Sequence, residues 1–437
     1  MKRRHFVRAT AAASLAAHAP AAPKDTLAML GGTPVRKAGW ASWPRWDQTE
    51  EAALTGVLRS GRWNRAVQVE KFEASYARLL GVPHVLATAN GTSALFTALH
   101  ALGVQPGDEV IVPPYTFVAT VNVVLLHYAL PVFADTDMDS FQIDPARVGA
   151  QISDRTSAIV PVHMAGGAAD LDAILGVAKQ RGVGVIEDAC QAHMGEWRGR
   201  KLGAWGDAGC FSFQASKNLN SGEGGAVATA DRNLYDRCHA FHNNGRAPRT
   251  ASYDFQYLQS GANLRLTEFQ GALLNAQMTR LEQQSAARHE NALYLTKLLE
   301  QIPGIRPVRN YAGCTRSAWH LFMFRYDKQQ FAGVDRAVFL KALAAEGIKA
   351  SAGYTPLNKQ PFLESMLASK AYRRLFPEKT LAEWKERTQC PVNDRLCEEA
   401  VWFTQTMLLG ARSDMDEIAA AIGKIQRSAP ALRQARV

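Results

Sequence analysis

AGCFSFQASKNLNSGEGGAVATA (208–230) begins as an apolar run, passes a single lysine, bends through glycines and ends in a second apolar run. Short apolar runs flanked by glycine and serine read as buried strands joined by a turn. Lys217 closes the first run. A lysine alone at such a point is most often a phosphate point charge or a rim residue. It can also be a covalent catalyst, and the flanking sequence decides between these.

Moving towards the N-terminus, VGVIEDAC (183–190) reads as a strand that ends in Asp188, and LDAILGVAKQRG (171–182) as a helix stopped by glycine. TSAIVPVHM (156–164) and LPVFADTD (130–137) are short apolar strands with polar ends. EVIVPPYTFVATVNVVLLHYA (109–129) is a strand, a Pro-Pro turn and a helix, and ANGTSALFTALHALGV (89–104) is a loop entering a helix. A helix is also expected over 48–59, ended by Ser-Gly. Strands alternating with helices predict an α/β fold with a mostly parallel sheet between helices. Ligands in such sheets bind at the carboxyl ends of the strands, where these polar residues fall.

From 267 to 300 the pattern becomes one long amphipathic helical stretch, a connector. Beyond it, HLFMFRY (320–326) reads as a strand, VDRAVFLKALAAEG (334–347) as a helix, IKASAGY (348–354) as a strand and MDEIAAAIGKIQRSA (415–429) as a helix. The expected organisation is a large domain over 25–300, including its lead-in segment and connector, and a smaller α+β domain over 301–437.

The 437 residues carry a formal charge of +10, but much of it sits at the two ends. The middle has no basic block with interleaved aromatics, so nucleic acid is not expected as a partner. No apolar run reaches the roughly 18–20 residues that a membrane-spanning helix needs. The six cysteines form no CxxC pair, so no zinc site is expected. MKRRHFVRATAAASLAAHAPAAP (1–23) has a basic start, a short Ala-rich stretch and Ala-x-Ala sites, the grammar of a signal segment over 1–22. Arg3 and Arg4 give it a twin-arginine-like form. Export to the periplasm is the expectation, with a disordered extension on a cytoplasmic protein as the alternative.

The chemistry comes from a combination. Asn90-Gly91-Thr92-Ser93 opens a helix, where free N–H groups attract phosphate. Asp188 ends one strand, and Lys217 follows 29 residues later. A phosphate cradle, a strand-end carboxylate and a strand-end lysine are what pyridoxal 5′-phosphate requires: an amine for covalent attachment, an anion against the ring nitrogen and a phosphate seat. An aromatic ring should stack on the cofactor, and PPYTFVAT offers Tyr115 and Phe117.

These residues sit in longer motifs: NGTSAL (90–95), PPYTFVATVN (113–122), PVHMAG (161–166), EDACQAHMGE (187–196), GCFSFQASKNLNSGEGG (209–225) and GANLRLTEFQGALL (261–274). Through them the chain, from about residue 30 to 425, resembles the DegT/DnrJ/StrS sugar aminotransferases of fold-type I. The resemblance implies Lys217 as the Schiff-base and proton-transfer lysine and Asp188 at the pyridine nitrogen. It puts Gln191 on the phenolate side and Phe117 on the ring, with Tyr115 second. Gly91, Thr92 and Ser212 match phosphate ligands. Arg265, with Asn263, matches the segment that reaches a neighbouring subunit's phosphate, implying a homodimer with shared sites. His320 and Tyr354 are substrate-side candidates.

Related dehydratases replace the lysine by histidine, so its presence favours transamination from glutamate or glutamine to a keto acceptor by a ping-pong course. Many nucleotide-sugar members read roughly His-Tyr-x-Pro-Leu-His where this chain has GYTPLN (353–358). WRGRKLG (197–203), GYTPLNKQP (353–361) and DRLCEEAVWF (394–403) look more like members that act on keto-cyclitols such as scyllo-inosose. A dehydratase or amino-dehydrase on the same scaffold, or a non-catalytic regulatory member, are the alternatives. GEGGAV lacks the strand–GxGxxG–helix setting of a dinucleotide site.

Overall fold

A computed structural model describes residues 26–247 and 256–435. The signal-like segment therefore lies outside the described residues. In chain order the strands are β1 His84–Thr88, β2 Glu109–Val112, β3 Leu130–Phe133, β4 Thr156–Ile159 and β5 Gly184–Asp188. Next come β6 Glu196–Trp197, β7 Arg200–Lys201, β8 Ala208–Ser212 and β9 Gly225–Thr229. β10 Ile305–Pro307, β11 Cys314–Arg316, β12 Leu321–Tyr326 and β13 Ala400–Thr404 complete the set.

Seven strands form the main sheet in the order β1-β9-β8-β5-β4-β2-β3. β8, β5, β4, β2 and β3 are mutually parallel, while β9 is antiparallel to both β8 and β1. Six strands thus share one direction, and the carboxyl ends of β1, β2, β5 and β8 meet along one edge. The strands are apolar on both faces because helices cover both. The burial of β2, β3, β8 and β9 is complete along their length, as a doubly covered parallel sheet demands.

Three features depart from the sequence expectation. The stretch 267–300 is two helices, Glu268–Met278 and Leu281–Leu299. Thr279 Oγ1 donates to the Ala276 carbonyl, and Arg280 leaves helical backbone at ψ 4°, so the second helix sets off in a new direction. Residues 348–354 form no strand. Ser351 makes a single bridge to Trp402, and Gly353 turns the chain at φ +82°. Conversely, β13 comes from a segment in which no strand was expected.

A second, antiparallel sheet runs β10-β12-β13 and carries its own core of Phe322, Phe324, Phe339, Val401, Ile418 and Ile422. Leu27, Leu295 and Leu299 join this core from before residue 300. In return Leu363, Tyr372, Phe376 and Trp384 pack on the main sheet from beyond it. Tyr372 Oη and Trp384 Nε1 donate to the carbonyls of Ala129 and Pro131 beside β3. The chain thus crosses between the two cores more than once.

Candidate active site

The helix Gly91–Leu102 starts directly after β1. Asn90 caps it: its Oδ1 accepts the Ser93 N–H at 2.8 Å, and its carbonyl accepts the Ala94 N–H. The helix start sits tight against the end of β8. A Cβ on Gly91 would come within 2.7 Å of Ser212 Cβ and 3.0 Å of Cys190 Sγ. β9 begins equally close, since a Cβ on Gly225 would lie 2.3 Å from the Asn90 carbonyl oxygen. Glycine at both positions lets backbone meet backbone, which brings the N-terminal, partly positive end of a helix to the strand ends.

The lysine stands further out than its run of sequence suggests. β8 ends at Ser212, and Lys217 lies five residues beyond it in a compact loop. Phe213 N–H donates to Gly224, Ala215 N–H to Gly222 and Lys217 N–H to the Gln214 carbonyl. These bonds close the loop because Gly222 supplies a positive φ of +83°.

Strand ends, helix start and loop enclose a cavity of about 680 Å3. Gly91, Thr92, Phe117, Asp188, Gln191, Ser212, Lys217, His320 and Tyr354, nine residues singled out from sequence, all line it. A wider groove of about 760 Å3 among the helices over 361–387 contains none of them. Asn263 and Arg265 stand apart from the cavity. Arg265 Nη1 donates to Asn243 Oδ1 at 2.8 Å, and Asn263 bridges to Asn243. Burial, Arg246 and Arg65 lower the pKa of Arg265, so it belongs to a cationic cluster beyond the wall. Tyr115 is buried behind the cavity, its ring 5.4 Å from Tyr354 and 5.8 Å from Phe141. Phe117 is 57 % exposed and is the ring that faces the opening.

Asp188 is held from two sides. Thr120 Oγ1 donates to its Oδ2 at 2.8 Å, the Cys190 N–H donates to its Oδ1 at 3.2 Å, and Thr116 Oγ1 lies 3.0 Å from Thr120 Oγ1. Burial lowers the pKa of Lys217, with the Cys190 thiol and the Asp188 carboxylate opposing. Gln191 Oε1 accepts the Ala165 N–H at 2.8 Å, which aims its amide at Tyr354 Oη, 3.4 Å away. Burial raises the Tyr354 phenol to about 12. Beneath the cavity His193 joins Tyr76 Oη and the Ser212 carbonyl, each at 2.8 Å. The carbonyl can only accept, so Nε2 carries the proton and Nδ1 receives the tyrosine O–H. Burial holds this imidazole neutral, at about 4.

Thr116, Thr120, Cys190 and Trp402 line the cavity without having been singled out. Thr120 carried a signal, a hydroxyl inside an otherwise apolar helix segment, VATVNVV. Trp402 lay inside DRLCEEAVWF, a segment read for its resemblance, but nothing in the sequence set it beside Lys217, 185 residues earlier.

A family profile, the DegT/DnrJ/EryC1/StrS aminotransferase family, matches residues 44–403. The chain belongs to this family. It is therefore a pyridoxal 5′-phosphate-dependent aminotransferase of fold-type I. Family membership extends over nearly the whole length of its relatives. An L-glutamine:2-deoxy-scyllo-inosose aminotransferase of Streptoalloteichus tenebrarius is 38% identical over 93% of this chain and 99% of its own. The protein of that name from Streptomyces kanamyceticus is 37% identical over 91% and 96%. Among solved structures, 3-amino-5-hydroxybenzoic acid synthase superposes with a TM-score of 0.80 at 31% identity, covering 89% of this chain and 99% of that one. The residues present fit the family's cofactor. An amine whose charge is disfavoured, a doubly anchored carboxylate and the start of a helix that tolerates no Cβ all face one cavity.

Proposed function

We propose that this aminotransferase moves the amino group of L-glutamine to a keto-cyclitol of the scyllo-inosose class, and that it works as a homodimer. The observation that carries the reading is the convergence of Lys217, Asp188 and Gln191 on one cavity whose outer wall is Tyr354 and Trp402. The names of the relatives support the donor and acceptor. Gly353 adds support. A Cβ there would lie 2.7 Å from Tyr115 Oη, at a φ of +82°, so the histidine expected for nucleotide-linked sugars has no room.

Pyridoxal 5′-phosphate, when bound, supplies an electron sink for the carbon that loses its proton. In this reading Lys217 would attach it, Asp188 would pair with its ring nitrogen and Gln191 would serve its phenolate side. Phe117 would cover the ring, and Gly91, Thr92 and Ser212 would seat the phosphate. As a free amine, Lys217 would be placed to take a proton from the donor Cα, and burial, which disfavours its charged form, would make it available as a base. Tyr354 and Trp402, with rings 4.8 Å apart and crossed at 76°, offer an apolar edge and a phenol to a polyhydroxylated ring. His320, buried beside Lys217 and held at Nδ1 by Asn218 Oδ1 at 3.3 Å, supplies a neutral imidazole.

Arg265 and Asn263 do not line this chain's own cavity, which suits a contribution to a second subunit. The twin-arginine-like segment supports export, and cell fractionation with Arg3→Lys and Arg4→Lys together tests it: an unchanged distribution would rule export out.

The function is tested by absorbance. The holoenzyme's visible band should bleach with L-glutamine and return with 2-deoxy-scyllo-inosose, and mass spectrometry should find the aminated cyclitol. Bleaching that no keto-cyclitol reverses would overturn the acceptor. An elimination product would favour a dehydratase.

A further inference from the structure

Arg288, on the helix Leu281–Leu299, is fully buried, yet it has no carboxylate partner among the described residues. Its Nε donates to Gln405 Oε1 at 2.8 Å, and its guanidinium lies 5.2 Å over the Trp43 ring. Nη1 and Nη2 have no hydrogen-bond partner among the described residues. A buried, unpaired cation is costly, so its surroundings should show what it does.

Both neighbours lead to the same place. Trp43 Nε1 donates to the Ala215 carbonyl at 2.9 Å. Gln405 Nε2 reaches the Ser216 carbonyl at 3.5 Å, and the Gln405 N–H donates to the His320 carbonyl at 3.1 Å. One guanidinium thus orients two side chains that end on the two peptide carbonyls just before Lys217. The second of them also ties down His320.

We infer that Arg288 is a positioning residue for Lys217, acting through Trp43 and Gln405 on the carbonyls of Ala215 and Ser216. The lysine loop is also held downstream of the lysine, by Asn218 Nδ2 on the Ala318 carbonyl and Gln270 Nε2 on the Glu223 carbonyl, but Trp43 and Gln405 are the supports that end on the two carbonyls just before Lys217. Without the guanidinium, the Gln405 amide is free to turn and the Trp43 ring loses the cation over its face. The position of the amine in the cavity then relaxes. The titratable and charged groups facing this network are Lys217, Asp188 and Cys190 in the cavity, with His193, His320 and Arg45 around Arg288. The inference rests on Lys217 being the cofactor lysine.

The test uses full-length holoenzyme and the variants Arg288→Met, Trp43→Phe and Gln405→Leu, with Lys217→Ala alongside. Leu295→Ala, a core truncation on the same helix, is the structural control. The visible band is titrated against pH, and kcat and KM are measured with L-glutamine. In Arg288→Met the band's midpoint should move by about one pH unit. Its kcat should fall about tenfold while the donor KM changes by less than about threefold. Trp43→Phe and Gln405→Leu should each reproduce part of the shift, and Leu295→Ala should lose stability with the midpoint in place. An unmoved midpoint and kcat in folded Arg288→Met overturn the inference, as does an equal shift in Leu295→Ala. Should Arg288→Met fail to fold, the two support variants decide: an unmoved midpoint in both overturns it. A visible band in Lys217→Ala would instead remove the lysine assignment, and the inference with it.

Discussion

Lys217 sits where burial works against its charge, so its neutral form persists to lower pH than for an ordinary lysine. If the free amine is the base, kcat/KM for the donor rises with pH through a midpoint below 10.5, the ordinary lysine value; a rise centred at or above that value would contradict the assignment. Asp188 gives a second prediction. Thr120→Val removes the hydroxyl that donates to Oδ2 and keeps the shape. It should cost about tenfold in kcat, within the range for one lost charge-assisted hydrogen bond, while the melting temperature stays within a few degrees; steady-state kinetics beside a thermal melt reads both. Lys217 and Asp188 were legible because a charged residue closing an apolar run needs a reason. Arg288 was not. In LEQQSAARHENALYL it is one polar side chain among many, and only the tertiary structure shows it enclosed. Gln405 was silent for the same reason, since neutral amides are common on surfaces and carry no pattern.

Secondary-structure elements were readable where period and punctuation agreed. The helix Gly91–Leu102, bounded by Asn90 and Gly103, and the strand β5 are where the sequence puts them, while β8 starts where expected but ends at Ser212, five residues before the lysine that was read as its end. The reading stopped short where a loop borrowed apolar residues from a strand. Phe213 continues the pattern of β8 but already belongs to the loop, because its N–H pairs with Gly224. The two-helix break at Thr279-Arg280 was equally hidden, for neither residue is a helix breaker and Arg280 at the turn reaches Asp47 and Glu50 at the start of the helix Gln48–Ser60. The junction at Gly91 makes a sharp prediction. Gly91→Ala pushes a methyl against Ser212 and Cys190 and must lift the helix start off β8. We expect about 1–3 kcal/mol of lost stability, the usual cost of overpacking. Cofactor affinity should fall at least about tenfold, since the phosphate seat moves with the helix. Equilibrium dialysis and thermal melts measure both, and unaltered affinity would remove Gly91 from the seat.

In the whole molecule, the distance of Arg265 from its own cavity makes subunit sharing testable. If the protein is the homodimer proposed above, the Lys217→Ala and Arg265→Ala variants should each be impaired, and mixing them after mild dissociation should restore part of the activity, because a hybrid would hold one site with both native residues; no recovery would argue for self-contained sites. Acid should weaken the fold in a defined window. His193 and His242 are buried, with pKa values of about 4 and about 3 against 6.5 when exposed. The unfolded chain binds their protons first, so stability is complete above pH 6.5 and declines as pH falls towards 4. Each contributes up to about 3 kcal/mol to that decline. His193→Gln should flatten the slope of melting temperature against pH, and an unchanged slope would mean the imidazole is not neutral. The supports under the lysine loop have a further consequence, one of timing. Ser216 is tied to Gln405, 189 positions later, and the cavity wall needs Trp402. A ribosome that has made the whole main sheet has still not made what steadies the lysine. The last few dozen residues must therefore emerge before the lysine loop has its supports and the cavity its outer wall, so a finished seat for the cofactor exists only once the chain is nearly complete.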